Sequence, residues 1–222
     1  MGKLIVIEGT DGSGKSTQFE LLAARLEREG RTFHRLRFPR YDQPSSALIR
    51  MYLGGDFGTD PEAVNAYAAS TFYAVDRFAS YVQDWRQAYE AGDLFLSDRY
   101  TTSNAVHQGG KVAAGERTAF FRWLYDLEYN RMELPRPDLV VLLDMPTELS
   151  EQLLRRREAD THTQADIHEQ DRAYLTRCRE TAREAAAHYG WSLVSCARDG
   201  RLRTVEEIHE ELYALVRRTL ET

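Results

Sequence analysis

Cysteine and long apolar runs are scarce in this sequence, and each absence excludes a class of protein. Only two of the 222 residues are cysteine. Cys178 and Cys196 match no metal-ligand spacing, which argues against a zinc site or a disulfide scaffold and favours reduced thiols in the cytoplasm. No apolar run approaches the roughly 18 residues that a membrane-spanning helix needs, so we expect no membrane partner.

Positive charge is also scarce, and lysine in particular. The chain has 29 lysines and arginines against 35 aspartates and glutamates, a net charge of −6. This balance argues against a nucleic-acid polymer as a partner. Lysine occurs only as Lys3, Lys15 and Lys111, and Lys15 lies in the segment that carries the functional interpretation.

That segment is a glycine-rich stretch near the N-terminus. The apolar residues 4–7 are typical of a strand buried on both faces, and Gly9-x-x-x-x-Gly14-Lys15-Ser16 follows at once. An amphipathic helix then begins, which completes the strand–loop–helix context of a phosphate-binding P-loop. Backbone N–H groups and the helix N-terminus would surround a phosphate. We expect Lys15 to contact the transferred phosphate and Ser16 to bind Mg²⁺.

Hydrophobic periodicity predicts alternating strands and helices over the rest of the chain. Strands are expected at 4–7, 32–38, 94–97, 139–143 and 192–196. Helices are expected at 15–29, 45–53, 61–91, 102–108, 116–132, from 146 into 155–157, at 167–189, and from a capping box at 204–207 onwards. This alternation predicts a single α/β domain over 1–222, with a five-stranded parallel sheet covered by helices on both faces.

Two patterns within the helical segments make separate predictions. The longest helix has an apolar stripe that is expected to face the core, formed by Val64, Ala68, Phe72, Val75, Ala79, Val82, Trp85 and Tyr89. Residues 158–166 form a polar stretch without such periodicity. It is interpreted as part of a mobile lid at about 155–168, with an ordinary surface loop as the alternative.

Charged residues follow two of the predicted strands. Because ligands gather at the carboxyl ends of parallel strands, Asp98 is a candidate for holding the Mg²⁺ water shell and Arg99 for gripping phosphate. Asp144 also ends a strand and competes for the metal role. Since a helix is expected to begin just after it, we interpret Asp144 as an N-terminal helix cap.

Tyr73 and Arg77 lie one helical turn apart and off the predicted apolar stripe. They therefore share a face that points away from the expected core contact. An aromatic ring beside a guanidinium suits a nucleobase and its hydrogen-bonding edge, but such a pair, taken alone, is more often a solvated helix face.

Several motifs in fixed order resemble the thymidylate kinase (dTMP kinase) family over nearly the whole chain. The matching pieces are Glu8–Thr17, Arg37–Tyr41, Tyr73–Arg77, Asp98–Tyr100, Ser103–Asn104, Gln108–Gly110 and Leu134–Leu139. The resemblance implies a three-layer P-loop kinase fold with a small lid. It also implies transfer of phosphate from ATP, with Mg²⁺, to dTMP, and a homodimer.

The resemblance assigns site residues position by position. Those expected to bind ATP are Gly9, Thr10, Asp11, Gly12, Ser13, Gly14, Lys15, Ser16 and Thr17. Those expected to bind dTMP are Asp11, Phe38, Pro39, Arg40, Tyr41, Tyr73, Arg77, Arg99, Ser103, Asn104, His107 and Gln108. Asp11 is expected to hold the sugar 3′-hydroxyl, while Arg77 and Asn104 contact the base.

Three positions depart from the family pattern. Tyr73 replaces the usual stacking Phe and adds a hydroxyl that needs a partner. His107 replaces a bulkier Tyr or Phe beside the sugar, so we expect weaker exclusion of the ribonucleotide. The lid motif is absent, since its nearest match, Asp166–Glu169, lacks the arginine.

The missing lid arginine changes the expected catalytic set. The P-loop carries no cation before Lys15, so the charge on the transferring phosphoryl group needs another donor. The available cations are Arg155, Arg156 and Arg157, whose alternative role is to stabilise a helix C-terminus. The predicted catalytic residues are thus Asp11, Lys15, Arg99, Arg155, Arg156 and Arg157, with Ser16 and Asp98 at the metal.

Three other functions compete with this interpretation. A regulatory GTPase would carry a guanine-reading Asn-Lys-x-Asp motif, and no Asn-Lys pair occurs in the chain. A non-catalytic nucleotide-binding protein would not need Lys15, Ser16 and Asp98 together. A kinase for another deoxynucleotide or deoxynucleoside would share the P-loop, so only the acceptor pocket distinguishes it.

Overall fold

The computed structural model describes residues 1–161 and 172–221. The strands are β1 (Lys3–Glu8), β2 (His34–Arg37), β3 (Leu94–Asp98), β4 (Leu139–Asp144), β5 (Ser192–Ser195), β6 (Ala197–Arg198) and β7 (Arg201–Leu202). The helices are α1 (Lys15–Arg28), α2 (Ala47–Leu53), α3 (Ala66–Ser80), α4 (Arg86–Ala91), α5 (Thr101–Ser103), α6 (Arg117–Tyr125), α7 (Thr147–Thr161), α8 (Arg172–Tyr189) and α9 (Val205–Glu221).

Five parallel strands form the central sheet in the order β2-β3-β1-β4-β5. The predicted α/β class, strand number and strand direction are confirmed. β1 lies in the middle, and the chain leaves it first towards β2 on one side and later towards β4 on the other. This is the topological switch point at which open parallel sheets bind ligands, and the P-loop follows β1 there.

Alternate residues of β1 pack against two different helical layers. Ile5 and Ile7 join the core on the side of α1 and α9. Leu4 and Val6 join a second core on the opposite face, which contains Trp85. Because strand side chains alternate between faces, one short apolar run supplies both interior layers of a three-layer fold.

The predicted stripe of the long helix is only partly correct. Trp85 and Tyr89 are buried, but Val75 is 48% exposed and Val82 is 46% exposed. The reason is a π-helical turn, Tyr81–Trp85, between α3 and α4. Such a turn takes more residues than an α-helical turn, so the faces before and after it are out of phase.

The prediction that Asp144 caps a helix is wrong. Asp144 is the last residue of β4, and α7 begins only at Thr147. Its two carboxylate oxygens accept from the Arg179 guanidinium at 2.8 and 3.2 Å, which fastens α8 to the end of β4. The sequence offered no signal for this pair, because its members lie 35 residues apart.

Two local features lie at or just before the start of the last helix, α9. The predicted capping box is confirmed, since the Thr204 N–H donates to the Glu207 carboxylate and the Glu207 N–H donates to the Thr204 hydroxyl. The β6–β7 hairpin was missed, although its turn is Asp199-Gly200 with φ of 51° and 73°. Asp-Gly is a common sequence at the two central positions of such turns.

The segment predicted as a lid begins inside α7. This helix continues to Thr161, so the first residues of the polar stretch are helical. The remainder of the predicted lid, 162–168, and the sequence Asp166–Glu169 lie outside the described residues. Within the described ranges, no helix has both the length and the apolar character needed to cross a membrane.

Lys111 connects three segments that surround the later site. Its ammonium donates to the Tyr52 hydroxyl of α2 at 2.6 Å and to the Val64 carbonyl, just before α3, at 3.0 Å. Burial lowers the pKa of Lys111 to about 8. The folded protein therefore stabilises the charged form of Lys111 less well than water does.

This burial predicts a pH dependence of stability. Between pH 8 and the ordinary pKa of 10.5, the unfolded chain keeps the Lys111 proton that the folded chain has lost. The free energy of unfolding should therefore gain up to about 1.4 kcal/mol per pH unit from this residue. Lys111→Met lacks that gain, so the wild type minus variant difference, measured by urea denaturation, should grow from pH 8 to 10. A difference that stays flat or falls contradicts the assignment.

Candidate active site

Two cavities open next to each other at the carboxyl edge of the sheet. One, of about 170 Å³, lies between α3, the 38–41 loop and the 103–108 segment. The other, of about 420 Å³, lies over the P-loop and the first turn of α1. Asp11 and Arg99 line both cavities, so these two side chains mark the point at which they meet.

The P-loop backbone is shaped by glycines where a side chain would not fit. Gly12 has φ of 73°, and a Cβ there would lie 2.6 Å from the Ser150 carbonyl oxygen of α7. Gly14, with φ of 83°, directly precedes α1, whose first turn has no acidic residue and no side-chain cap. The N–H groups of this helix end therefore remain available to an anion.

Lys15 is more buried than a solvent-facing loop lysine. Its ammonium donates to the Thr10 carbonyl at 2.9 Å and lies 3.8 Å from the Asp11 carboxylate. Burial, assisted by the nearby Arg99 cation, lowers the pKa of Lys15. A phosphate at the P-loop would supply the negative charge that this desolvated ammonium lacks.

Arg99 is held firmly between the cavities. Its guanidinium donates to the Asp11 carboxylate through one terminal nitrogen and faces His107 Nε2 at 2.7 Å through the other. Burial opposes its charge, but Asp11, Glu8 and Asp98 outweigh burial and raise the pKa of Arg99. Its φ of 66° is strained for a residue with a side chain, a cost of about 1–2 kcal/mol that is typical of functional positions.

A fully buried carboxylate lies beneath the junction. Glu8 accepts from the Gly9 N–H at 2.8 Å, from the Thr102 hydroxyl at 2.6 Å and from the Ser103 hydroxyl at 2.7 Å. These bonds join the start of the P-loop to α5. Glu8 therefore fixes one cavity relative to the other.

Arg77 lines the smaller cavity and belongs to a buried ion pair. Arg77 is only 2% exposed, and its guanidinium makes a bidentate contact with Glu128 at 2.6 and 2.7 Å. Glu128 also accepts from the Asn104 amide at 3.0 Å, and Asn104 donates to the Ser70 carbonyl. The expectation that Arg77 points away from the core is wrong. It faces inward, and Glu128 fixes the planes of both polar groups.

The structure brings most of the predicted acceptor residues together. The smaller cavity is lined by Asp11, Phe38, Pro39, Tyr41, Tyr73, Arg77, Arg99, Ser103, Asn104, His107 and Gln108, together with Leu53 and Tyr100. Arg40 does not line it. The Arg40 guanidinium instead contacts Asp84, the Ser45 hydroxyl and the Asp76 carbonyl, and its role in binding stays a prediction.

The predicted ATP and metal residues gather around the larger cavity. Its lining comprises Asp11, Gly12, Ser13, Gly14, Lys15, Ser16, Thr17, Asp98, Arg99, Leu153 and Leu154. Gly9 and Thr10 do not line it but anchor the loop, through the Glu8 and Lys15 contacts. Arg155 is exposed on α7, and the side chains of Arg156 and Arg157 lie outside the described residues.

Glu8 and Glu128 are the charged residues of the site that the sequence analysis did not assign to it. The sequence analysis named Glu8 only as the first residue of the matching piece Glu8–Thr17. Glu128 lies in a π-helical turn, Asp126–Arg131, and is separated from Arg77 by 51 residues. No local pattern predicts a contact over that separation, although π-helical turns often mark functional sites.

Comparison with known proteins agrees with this geometry. A family model described as thymidylate kinase matches residues 7–211. The chain belongs to the thymidylate kinase family. The resemblance found in the motifs is thereby confirmed.

Individual relatives cover most of the chain. A thymidylate kinase of Mycobacterium tuberculosis is 36% identical over 193 residues, which are 85% of this chain and 87% of the relative. A probable thymidylate kinase of Thermococcus gammatolerans is 32% identical over 97% of this chain and 96% of its own length. A thymidylate kinase of Thermomicrobium roseum is 33% identical over 84% of the chain and 82% of its own length.

The Arg77–Glu128 pair yields a stability prediction. Among the described residues, Glu128 is the one full charge in contact with the Arg77 guanidinium, so Glu128→Gln should lower the free energy of unfolding by about 3 kcal/mol or more. Glu90→Gln is the matched control, because Glu90 pairs with Arg86 on the exposed surface of α4. It should change the urea midpoint little. Equal midpoints for the two variants would contradict the role assigned to Glu128.

Proposed function

We propose that this chain transfers the γ-phosphoryl group of ATP to dTMP, forming dTDP and ADP. The observation that carries the proposal is the meeting of two cavities at Asp11 and Arg99. A donor phosphate held by the P-loop and an acceptor phosphate held by Arg99 would then face each other across this junction. Membership of the thymidylate kinase family supports the choice of acceptor.

The P-loop takes the donor. Residues 11–17 line the larger cavity and surround the triphosphate with backbone N–H groups, and the end of α1 directs its free donors at the same oxygens. Gly9 and Thr10 anchor the loop. Lys15 contacts the phosphoryl group as it is transferred. This contact needs little movement of the side chain, since Lys15 already lines the cavity.

The residues near the P-loop fit Mg²⁺. Ser16 and the Asp98 carboxylate line the same cavity and supply hard oxygen ligands. No group of three or more acidic, His or Cys side chains that could hold a metal occurs among the residues described. That suits an ion that keeps several waters and binds substrate phosphates through one or two protein groups. Mg²⁺ bound here would neutralise charge on the phosphates.

The smaller cavity takes dTMP. Tyr73 stacks on the thymine ring, while Arg77 and Asn104, held in place by Glu128, contact its polar edge. Asp11 accepts from the 3′-hydroxyl. Arg99 binds the acceptor phosphate with N–H groups that its contacts with Asp11 and His107 leave available.

The chemistry needs no protein base. The second pKa of a phosphate monoester is about 6, so at neutral pH the attacking oxygen is mostly deprotonated. That oxygen forms a bond to the γ-phosphorus as the bond to the β–γ bridging oxygen breaks, and ADP leaves. The chain contributes alignment through Arg99 and charge neutralisation through Lys15.

Further parts of the proposal concern the lid, the assembly and the compartment. A lid at about 155–168 closes a single kinase domain, and Arg155, Arg156 and Arg157 supply the charge that the P-loop lacks.

A homodimer is supported by an apolar face of α3 and the following turn, where Val75, Phe78 and Val82 are exposed at helical spacing. A cytoplasmic location is supported by two free, buried cysteines, whose thiol pKa values burial raises to about 12.

The central test combines an acceptor panel with a P-loop variant. With ATP and Mg²⁺, dTMP should give the highest kcat/KM among the common nucleosides and nucleoside monophosphates. Lys15→Ala should lower kcat at least about 100-fold, because a preorganised charge at the transferring group is lost. Lys3→Ala, which removes an ammonium bound to the Thr219 carbonyl, is the control and should keep full activity. Near-normal kcat in folded Lys15→Ala would overturn the donor assignment.

The lid arginines are tested one at a time. A guanidinium that acts only in the transition state should, when replaced by alanine, lower kcat more than it weakens dTMP affinity. We expect this pattern for at least one of Arg155→Ala, Arg156→Ala and Arg157→Ala, measured by steady-state kinetics and calorimetry. Arg122→Ala, on the exposed side of α6, provides the comparison. Full kcat in all three lid variants would exclude their participation.

A further inference from the structure

The contact between Arg99 and His107 determines the protonation state of the histidine. The Arg99 terminal nitrogen lies 2.7 Å from His107 Nε2. A guanidinium can only donate, so Nε2 must accept the hydrogen bond and cannot carry a proton. The imidazole is therefore neutral, with its proton on Nδ1.

The surroundings keep the imidazole in this position. His107 lies in a π-helical turn, Asn104–Gln108, and is only 7% exposed. The Tyr174 hydroxyl donates to the His107 carbonyl at 2.7 Å, which ties that turn to α8. The ring is thus presented to Arg99 by packed backbone rather than by a mobile loop.

The same contact completes the fixation of Arg99. Asp11 accepts from one terminal nitrogen of the guanidinium and His107 from the other. An arginine side chain loses rotamer entropy when it is ordered, and two acceptors allow this cost to be met before substrate arrives. Among the described residues these two contacts use two of the five N–H groups of Arg99, which leaves three for phosphate oxygens.

We propose that His107 is a positioning residue, whose neutral imidazole holds Arg99 in the orientation that binds the acceptor phosphate. This proposal rests on the proposed function and adds to it a residue that acts through Arg99. It assigns His107 a task different from excluding a 2′-hydroxyl by bulk. The consequence of losing the imidazole should accordingly depend on the phosphate of the acceptor, not on its sugar.

The first experiment reads the tautomer without any turnover. Nitrogen-15 NMR of the wild type, with His107 identified among the six histidines by its absence in His107→Gln, should show an unprotonated Nε2 and a protonated Nδ1. The pattern should change in Arg99→Met. A proton on Nε2 in the wild type would overturn the proposal, whether or not the chain proves to phosphorylate dTMP.

The second experiment separates positioning from direct contact with the nucleoside. His107→Leu removes the acceptor at similar bulk, and should lower kcat/KM for dTMP about 10–100-fold, the range for a hydrogen bond to a charged group. Binding of thymidine, which has no phosphate, should stay within about twofold by calorimetry because it does not use Arg99. Equal losses for dTMP and thymidine would mean that His107 contacts the nucleoside directly.

Two further variants exclude a merely structural effect. His107→Gln keeps an acceptor oxygen and should recover most of the activity that His107→Leu loses. In an Arg99→Met background, His107→Leu should cost little more, because its effect passes through Arg99. Additive losses in that double variant, or equal activity of the Gln and Leu variants, would overturn the proposal.

Discussion

The buried carboxylate of Glu8 is the contact on which the geometry of the site depends. It is fully inaccessible to solvent and has three donors, the Gly9 N–H and the hydroxyls of Thr102 and Ser103. A buried carboxylate without such donors would be costly. Separating the P-loop from α5 would therefore cost much of the free energy of folding that these hydrogen bonds secure. Arg99 lies between these two segments in the chain. Arg99 lies at the junction of both cavities because Glu8 bonds the P-loop and α5 to each other on either side of it.

The fold could be predicted where its signals are local. The apolar run 4–7 and the glycine pattern after it identified a strand, a loop and a helix, and the Thr204–Glu207 spacing identified a capping box. The phase of the long helix could not be predicted in this way. Its π-helical turn ends at Trp85, whose ring packs against Phe95 of β3, and such a tertiary contact leaves no periodic pattern in the sequence.

The site divides along the same line. P-loop residues are consecutive, so their spacing alone specifies a phosphate site, and the structure places them around one cavity. Arg77 was recognised as a candidate, but its direction was mistaken. A side chain so polar is normally expected to face solvent, and only the distant Glu128 makes its burial possible. The prediction that Asp144 caps a helix was wrong for a similar reason, because its partner Arg179 lies on α8, 35 residues further along the chain.

The buried Arg77–Glu128 pair also limits how such a pocket can evolve. Under the proposed function, a new base preference would require a different group at position 77, yet replacing Arg77 alone leaves Glu128 uncompensated in the interior. That costs about 3–5 kcal/mol, a large part of the 5–15 kcal/mol that separates folded from unfolded proteins. Most single substitutions at either position would thus be lost as unstable protein before any altered specificity could be selected. A change of substrate by this route needs both residues to change together, so the pair restricts the base preferences that single substitutions can reach.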